Sequence, residues 1–584
     1  MTERVNGEKK DLYSWLTIEI ALYGVVLGLA LALRLGGLQI RVMDVPEADH
    51  AWQAWQLTRG VEPEGGYSPL LLSGQALLFT LLGGSDVLAR LWPALLGGAM
   101  VLLPYLMRDH LGRVGALAAG LGMAVSPTLV YSARYGDGVT PMLFCLLASG
   151  ALWLAYGRDR RPGYLYALAV VGALFLLSDP RVIGLLIVVV VAWAIERYAF
   201  RRNVFEFGAD PPLPWKRLGT VFGMVLLVVA TAFPFNPSGI ATWAEYTTDW
   251  AAHLQPVVNG QPWYYALGAL LLYEPLLLVF GAIGAVDLLA RRDKAAITIW
   301  LALGCLLLAT LAGGRDAGDV AAICLSLAVL AGRAIDNLVE RWRQGGRLTR
   351  EGLYVLAGLG ILAFVGLMSG FYAFSLMRGM ARAGQFLWFL LLAIVAVLVL
   401  LSMALAWYGA ENTWRIGGTA IAIVLLVVSF SATTGLNFSR ADDPRELHIR
   451  IASDEGTRDA LRVLDEVSYR KRGHKLSTPV TVEAGLGPVW LWYLRDWEDV
   501  RVVETLSSGV DTPLVLASAT EVEPALGEQY IGQDFVARTF WQPSELGSND
   551  RPSWWIYRKS VVPPAPIQKV IVWMHVEEPV EEPE

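Results

Sequence analysis

The feature that most constrains this chain is where its charges fall between long apolar runs. From Trp15 to Thr434 the sequence holds about thirteen stretches of the roughly 20 apolar residues that cross a bilayer. After Thr434 such runs stop, and the remainder of the chain reads as a water-soluble domain. Of the 584 residues, 55% are hydrophobic, which places the chain among multi-span membrane proteins. Cys145, Cys305 and Cys324 all lie inside apolar runs, so the soluble part has neither a disulfide framework nor a cysteine zinc site. The first run, Ile18 to Leu35, follows Lys9 and Lys10 but lacks a small-residue cleavage signature, and is read as a retained span.

Orientation turns on one short segment. Pro69 to Gly83 is apolar but below spanning length, and reads as interfacial or re-entrant, with the next full span starting near Asp86. Arg108, Arg113, Arg158, Arg160 and Arg161 then share the cytoplasmic side with Lys9 and Lys10. Further basic loops at Arg197–Arg217, Arg291–Lys294 and Arg333–Arg350 keep that side, whereas Asn236–Pro262 has no Lys or Arg and faces out, as does Met377–Gln385. The predicted protein is mainly α and multi-pass. It has a cytoplasmic N-terminus (1–14), a transmembrane domain (15–438) whose first outer loop (37–84) carries juxtamembrane helices, an extracytoplasmic α/β domain (439–570) and an acidic tail (571–584). In the α/β domain, Ser453 or Asp454 caps a helix with the stripe Ala460, Leu461, Leu464 and Val467. Strands are expected at 479–482, 501–503 and 513–516, with a helix over Trp490–Trp497.

The first outer loop concentrates ionisable groups. Pro46 starts an amphipathic helix with Ala48, Ala51, Trp52 and Trp55 on its apolar face, suited to a membrane interface. Glu47 and His50 share one side of it, and Asp44 precedes it. A carboxylate partly desolvated here has the properties of a general base; the plainer alternative is acidic residues at a helix N-terminus, where the dipole favours them. Asp44, Glu47, Asp49 and His50 are also candidate ligands for a divalent metal (Mg, Mn or Zn), at no diagnostic spacing. Three Arg/Asp pairs fall on the same face: Arg134 with Asp137, Asp179 with Arg181, and Arg315 with Asp316. Each reads either as a local ion pair or as part of a substrate site in which an Arg clamps a phosphate.

Several of these segments together resemble the GT-C membrane glycosyltransferases, the protein O-mannosyltransferases, aminoarabinose transferases and their prokaryotic relatives. The resemblance rests on the acidic first loop, Ser68-Pro69-Leu70, the Arg90–Leu95 span start, Ala133-Arg134-Tyr135 with Asp137, and Trp492–Asp496. It is similar above all to the prokaryotic flippase activity-associated branch. The resemblance implies a GT-C fold and a hexosyl or pentosyl transferase. Its donor would be a polyprenyl-phosphate sugar and its acceptor a glycan, lipid or protein, at the outer face of a prokaryotic cytoplasmic membrane. No nucleic-acid partner is expected. It further implies a single inverting displacement with Asp44 or Glu47 as base, and Arg134 or Arg181 on the lipid phosphate. The family pattern is Asp-Glu or His-Pro-Asp-Glu; here Glu47 matches and Pro46 stands where the Asp would be. The alternative is a catalytically inactive accessory protein in lipid-linked sugar handling or flipping. The lack of an inverted repeat and of mid-span charges argues against a transporter.

Overall fold

The computed structural model describes residues 18–64, 66–202, 214–257, 260–291, 294–344, 383–507, 509–519, 526, 529–547 and 550–576. The N-terminal segment, most of the expected Met377–Gln385 loop and the end of the acidic tail lie outside the described residues. Six described helices are long and apolar enough to cross a membrane, or up to eight if each of two bent pairs is one span. The bent pairs are Arg113–Val125 with Pro127–Ala133 (63°) and Tyr265–Tyr273 with Pro275–Arg291 (102°). Stretches such as Pro162–Leu176 and Ile297–Leu311 form shorter apolar helices, and the expected runs within 345–382 lie outside the described residues.

The long helix Ala317–Gln344 sits at the centre, and most of its apolar length is buried. Small residues make this possible. A Cβ on Gly332 would strike the Gly115 carbonyl of the neighbouring helix, so backbones meet where larger side chains would hold them apart. Four helices build the site region: α1 (Ile18–Leu35), α2 (Val45–Thr58), α3 (Pro69–Leu82) and α4 (Asp86–Met100). Ser68 caps α3, its Oγ accepting the Leu71 amide at 3.2 Å, and Gly83 ends the helix at φ 84°. At 1.5 Å per residue its 14 residues reach about 21 Å, short of the ~30 Å hydrocarbon layer. Helix α4 begins at Asp86, where the next span was expected.

The C-terminal domain is a six-stranded mixed sheet in the order β1-β5-β6-β4-β2-β3. The strands are β1 (Ile451–Ser453), β2 (Val480–Glu483), β3 (Val500–Val503), β4 (Leu514–Ser518), β5 (Tyr530–Phe540) and β6 (Ala565–His575). The three strands read from sequence form the parallel part, β3-β2-β4. Two long antiparallel strands, β5 and β6, were not expected, and β6 runs past residue 570, where the tail was placed. The helix Gly456–Arg472 buries Ala460 and Leu464 against the sheet. Its N-cap is Glu455 and not Ser453 or Asp454; Ser453 Oγ instead donates to the Met43 carbonyl at 2.9 Å.

That bond belongs to the seam joining the sheet domain to the first loop. Trp492 Nε1 and Tyr493 Oη donate to the two oxygens of Asp86 at 2.8 and 3.0 Å, and the Met43 amide donates to Tyr493 Oη at 2.9 Å. Arg495 donates to the Gly84 carbonyl at 2.7 Å while lying 4.0 Å over the Trp492 ring. The Trp492–Asp496 segment is therefore a docking element. It packs with α2, α3 and α4 in one core that includes Ala48, Ala51, Phe79 and Ala89.

Candidate functional site

Helix α2 starts where its sequence dictates. Asp44 is the N-cap and Pro46 stands in the first turn, and Asp44 and Glu47 form a reciprocal capping box. The buried stripe is Ala48, Ala51 and Ala54 with Leu57, while Trp52 and Trp55 stack on each other at 5.2 Å, half-buried. Gln53 is buried too.

The Glu47 carboxylate is fully buried and fully engaged. Arg90 donates Nε to Oε1 (3.0 Å) and Nη2 to Oε2 (2.7 Å), and Arg41 pairs with Oε1 at 2.9 Å. The Gly136 amide donates to Oε1 at 2.8 Å and the Asp44 amide to Oε2 at 3.3 Å. Burial pushes this carboxyl up, but the two guanidiniums and the amide outweigh it and hold it down at about 2. A group so held is a poor proton acceptor at neutral pH. The structure therefore corrects the expectation of Glu47 as base: it is a structural hub.

Asp44 has its own duties. Oδ1 accepts the Val45 amide at 2.8 Å and lies 3.7 Å from Arg538 of β5, while Oδ2 accepts from Tyr135 Oη at 3.3 Å. Burial pushes its carboxyl up, with Arg538 opposing. Asp49 accepts from Gln53 at 3.1 Å. His50 Nε2 accepts the Ser68 amide at 3.4 Å, so Nδ1 carries the proton donated to the Pro46 carbonyl at 2.8 Å. The four candidate metal ligands are thus each committed elsewhere. Among the described residues no group of three or more His, Cys, Asp or Glu is placed to hold a metal ion.

Across the 134–138 loop lies a cavity of about 210 Å³, lined by His50, Ser68, Asp137, Asp179, Arg181, Asp249 and His253 among others. Of the residues singled out in the sequence, His50, Asp137, Asp179 and Arg181 line it. Local turns set the aspartates. Asp137 accepts the Val139 amide at 3.1 Å and Asp179 the Arg181 amide at 2.9 Å, and Asp316 accepts the Gly318 amide at 2.9 Å at the start of the long helix. Gly138 lets the two loops touch, since a Cβ there would overlap the Ser178 carbonyl oxygen. Arg181 pairs with Asp316 and lies 3.6 Å from both Asp179 and Asp319. Burial and then the charge of Asp179 push Asp137 well above the usual carboxylate range, with Arg181 opposing.

His253 was missed from sequence. Its Nε2 meets Asp319 Oδ1 at 3.2 Å, and the imidazole lines both this cavity and a second, mainly apolar one lined by Met142, Leu185, Cys305 and Leu308. Burial works against its positive charge, but the bond to Asp319 prevails and raises its pKa. The only available signal was a histidine in the one long outer loop without Lys or Arg.

Arg134 and Arg315 do not reach the cavity. The Arg134 guanidinium bonds the carbonyls of Leu33 (3.1 Å), Arg34 (3.3 Å), Gly36 (2.5 Å) and Gly37 (2.9 Å), and lies 4.4 Å over the Phe438 ring. It closes the C-terminal end of α1, where unpaired carbonyls and the helix dipole favour a cation. Arg315 likewise ties the carbonyls of Ala309 (3.1 Å), Gln261 (2.9 Å) and Thr310 (2.6 Å). Both are corrected from phosphate clamps to backbone staples.

No protein-family model matches the sequence, and no curated protein matches it. Solved structures do. ArnT from Cupriavidus metallidurans bound to undecaprenyl phosphate superposes with a TM-score of 0.52 at 15% identity, over 87% of this chain and 93% of that one. Its apo state gives 0.51 at 16% identity, over 84% and 86%. The Archaeoglobus fulgidus oligosaccharyltransferase tethered with an acceptor peptide is more remote, with a TM-score of 0.44 at 11% identity, over 87% and 69%. At these identities the likeness is one of fold: this chain has an ArnT-like fold.

Proposed function

We propose that this chain is a membrane glycosyltransferase. It takes a sugar from a polyprenyl-phosphate donor and attaches it to an acceptor at the extracytoplasmic face of a prokaryotic cytoplasmic membrane. The observation that carries this reading is the ArnT-like fold along nearly the whole chain, with a polar cavity beside the first loop that shares Arg181, Trp250 and His253 with a more apolar one. A polar cavity beside apolar lining suits the head of a lipid-linked sugar phosphate. Fold alone does not fix chemistry, so the cavity's own groups matter more.

Arg181 and His253 are the basic groups that line both cavities, positioned by Asp179, Asp316 and Asp319. In an inverting displacement the acceptor oxygen bonds to the anomeric carbon as the carbon–phosphate oxygen bond breaks. Charge then grows on the departing lipid phosphate, and Arg181 and His253 lower its cost. Neither group requires a metal for that role.

One observation favours a second reading, that of an inactive accessory protein. Pro46 replaces the family's Asp, and Glu47 is locked between two arginines. The deciding experiment supplies a polyprenyl-phosphate hexose with radiolabelled sugar to the purified protein in nanodiscs, with octyl glucoside and a Ser/Thr-rich peptide as acceptors. Labelled acceptor together with released polyprenyl phosphate supports the transferase. Saturable donor binding without release supports the accessory reading.

A further inference from the structure

The first loop, where the resemblance puts the proton acceptor, offers a proline and two occupied carboxylates. Glu47 is closed in by Arg90, Arg41 and the Gly136 amide; Asp44 caps α2 and is held by Tyr135 and Arg538. Neither lines the polar cavity or the apolar one that shares residues with it. Asp137 does, and its one hydrogen bond among the described residues is the Val139 amide on Oδ1, which leaves Oδ2 available.

The elements around the cavity each add a titratable or charged group to its lining, with Tyr67 coming from the segment before α3. The 178–181 turn brings Asp179 and Arg181, helix Gly239–Leu254 brings Asp249 and His253, α2 brings His50, and Asp316 stands behind Arg181. Three lining carboxylates, Asp137, Asp179 and Asp249, share the one lining guanidinium, Arg181, while His253 is bonded to Asp319 behind it. Such an excess of negative charge raises the affinity of one carboxylate for a proton.

We infer that Asp137, and not a first-loop carboxylate, accepts the proton of the acceptor hydroxyl, with Glu47 as its positioning residue through the Gly136 amide. This rests on the transferase reading. In the step, the hydroxyl oxygen forms its bond to the anomeric carbon, and the phosphate oxygen leaves with the bonding pair. The hydroxyl proton passes to Asp137 Oδ2 and from there to solvent. The step needs no oxidant or reductant. Glu47 acts by geometry alone: its Oε1 fixes the amide one residue before Asp137 at 2.8 Å.

The test uses the full chain in nanodiscs with the same labelled donor and acceptors. Asp137→Asn keeps the side-chain shape and the Val139 contact, and kcat is expected to fall by about 10²–10⁴-fold with donor KM nearly unchanged. In the unmutated protein the acid limb of kcat/KM is expected above the ordinary carboxylate range. Asp179→Asn, which removes a neighbouring charge, moves that limb to lower pH, a shift that a merely structural role for Asp137 does not produce. If Asp137→Asn fails to fold, Asp137→Gly with added formate serves instead, and recovery of turnover by formate is the expected result. Retention of kcat within about tenfold by Asp137→Asn, or an acid limb indifferent to Asp179→Asn, overturns the inference. So does a loss of turnover confined to Asp44→Asn. Absence of transfer by the unmutated protein is a different outcome, which removes the transferase reading itself.

Discussion

Glu47 and Arg90 form a buried two-pronged ion pair, Nε to Oε1 at 3.0 Å and Nη2 to Oε2 at 2.7 Å, with side chains 0% and 1% exposed. The same guanidinium bonds the carbonyls of Leu38 (2.6 Å), Arg41 (2.9 Å) and Val42 (3.4 Å). The chain between α1 and α2 is therefore folded around one arginine of α4. Removing the carboxylate would leave two guanidiniums facing each other without their shared partner.

Glu47→Gln is accordingly expected to cost about 3–5 kcal/mol of stability, the range for breaking one side of a buried pair. The measurement is thermal unfolding of the detergent-solubilised protein, followed by size-exclusion chromatography. An unchanged Tm combined with a large loss of kcat would return Glu47 to the role of base.

The same pair predicts an acid limit. Glu47 sits at about 2 in the fold against an ordinary 4.5, so its contribution is complete above about 4.5 and disappears as pH falls toward 2. Glu47→Gln should flatten the loss of Tm across that window. Parallel Tm curves for both proteins below pH 4.5 would contradict this.

His448 gives a second, separate window. It is stacked 4.5 Å from Tyr273, bonded to Tyr265 Oη at 2.8 Å and to Thr128 Oγ1 at 3.1 Å, and burial pushes its pKa down to about 3. The unfolded chain protonates this imidazole near 6.5 while the fold resists, so stability is lost as pH falls from about 6.5 toward 3. His448→Gln should remove much of the slope between pH 6.5 and 4.5, above the window of Glu47. Identical slopes there would assign the pH dependence to other groups.

The seam between the sheet domain and the membrane helices depends on Asp86. Replacing it with Asn puts an amide donor against Trp492 Nε1 or Tyr493 Oη, each now bonded to a carboxylate oxygen. A loss of about 1–3 kcal/mol is expected, with faster protease cleavage between residues 440 and 450. Wild-type cleavage rates in Asp86→Asn would show that apolar packing of Trp492 alone holds the seam.

Orientation is open to direct labelling. With the three native cysteines replaced, Arg160→Cys should react only with membrane-permeant thiol reagents and Thr247→Cys with impermeant ones. The reverse pattern would put the first loop and the cavity on the cytoplasmic side.

Much was legible in the sequence because it depended on local rules. Hydropathy and basic loops set the membrane character, Asp44, Pro46 and Glu47 set the start of α2, and Ser68 and Gly83 bounded the short α3. The parallel strands were readable as short β-branched runs. Strands β5 and β6 were not, since much of their length is exposed and they pair with each other across a long connection.

By itself, then, the sequence determined that this chain crosses a membrane repeatedly, ends in a mixed α/β domain, and carries acidic and basic groups around its first loop. Only tertiary structure decided what each of those groups does. Arg134, Arg181 and Arg315 look alike in sequence, each one to three residues from an aspartate, yet two close helix ends or loops through carbonyls and one faces a cavity. Glu47 and Asp137 are likewise both carboxylates, separated by the reach of Arg90 and Arg41 to the one and of Asp179 to the other. A carboxylate's affinity for a proton is set by the charges and solvent within a few ångströms. Those neighbours arrive from helices and loops distant in sequence, and no local pattern encodes them.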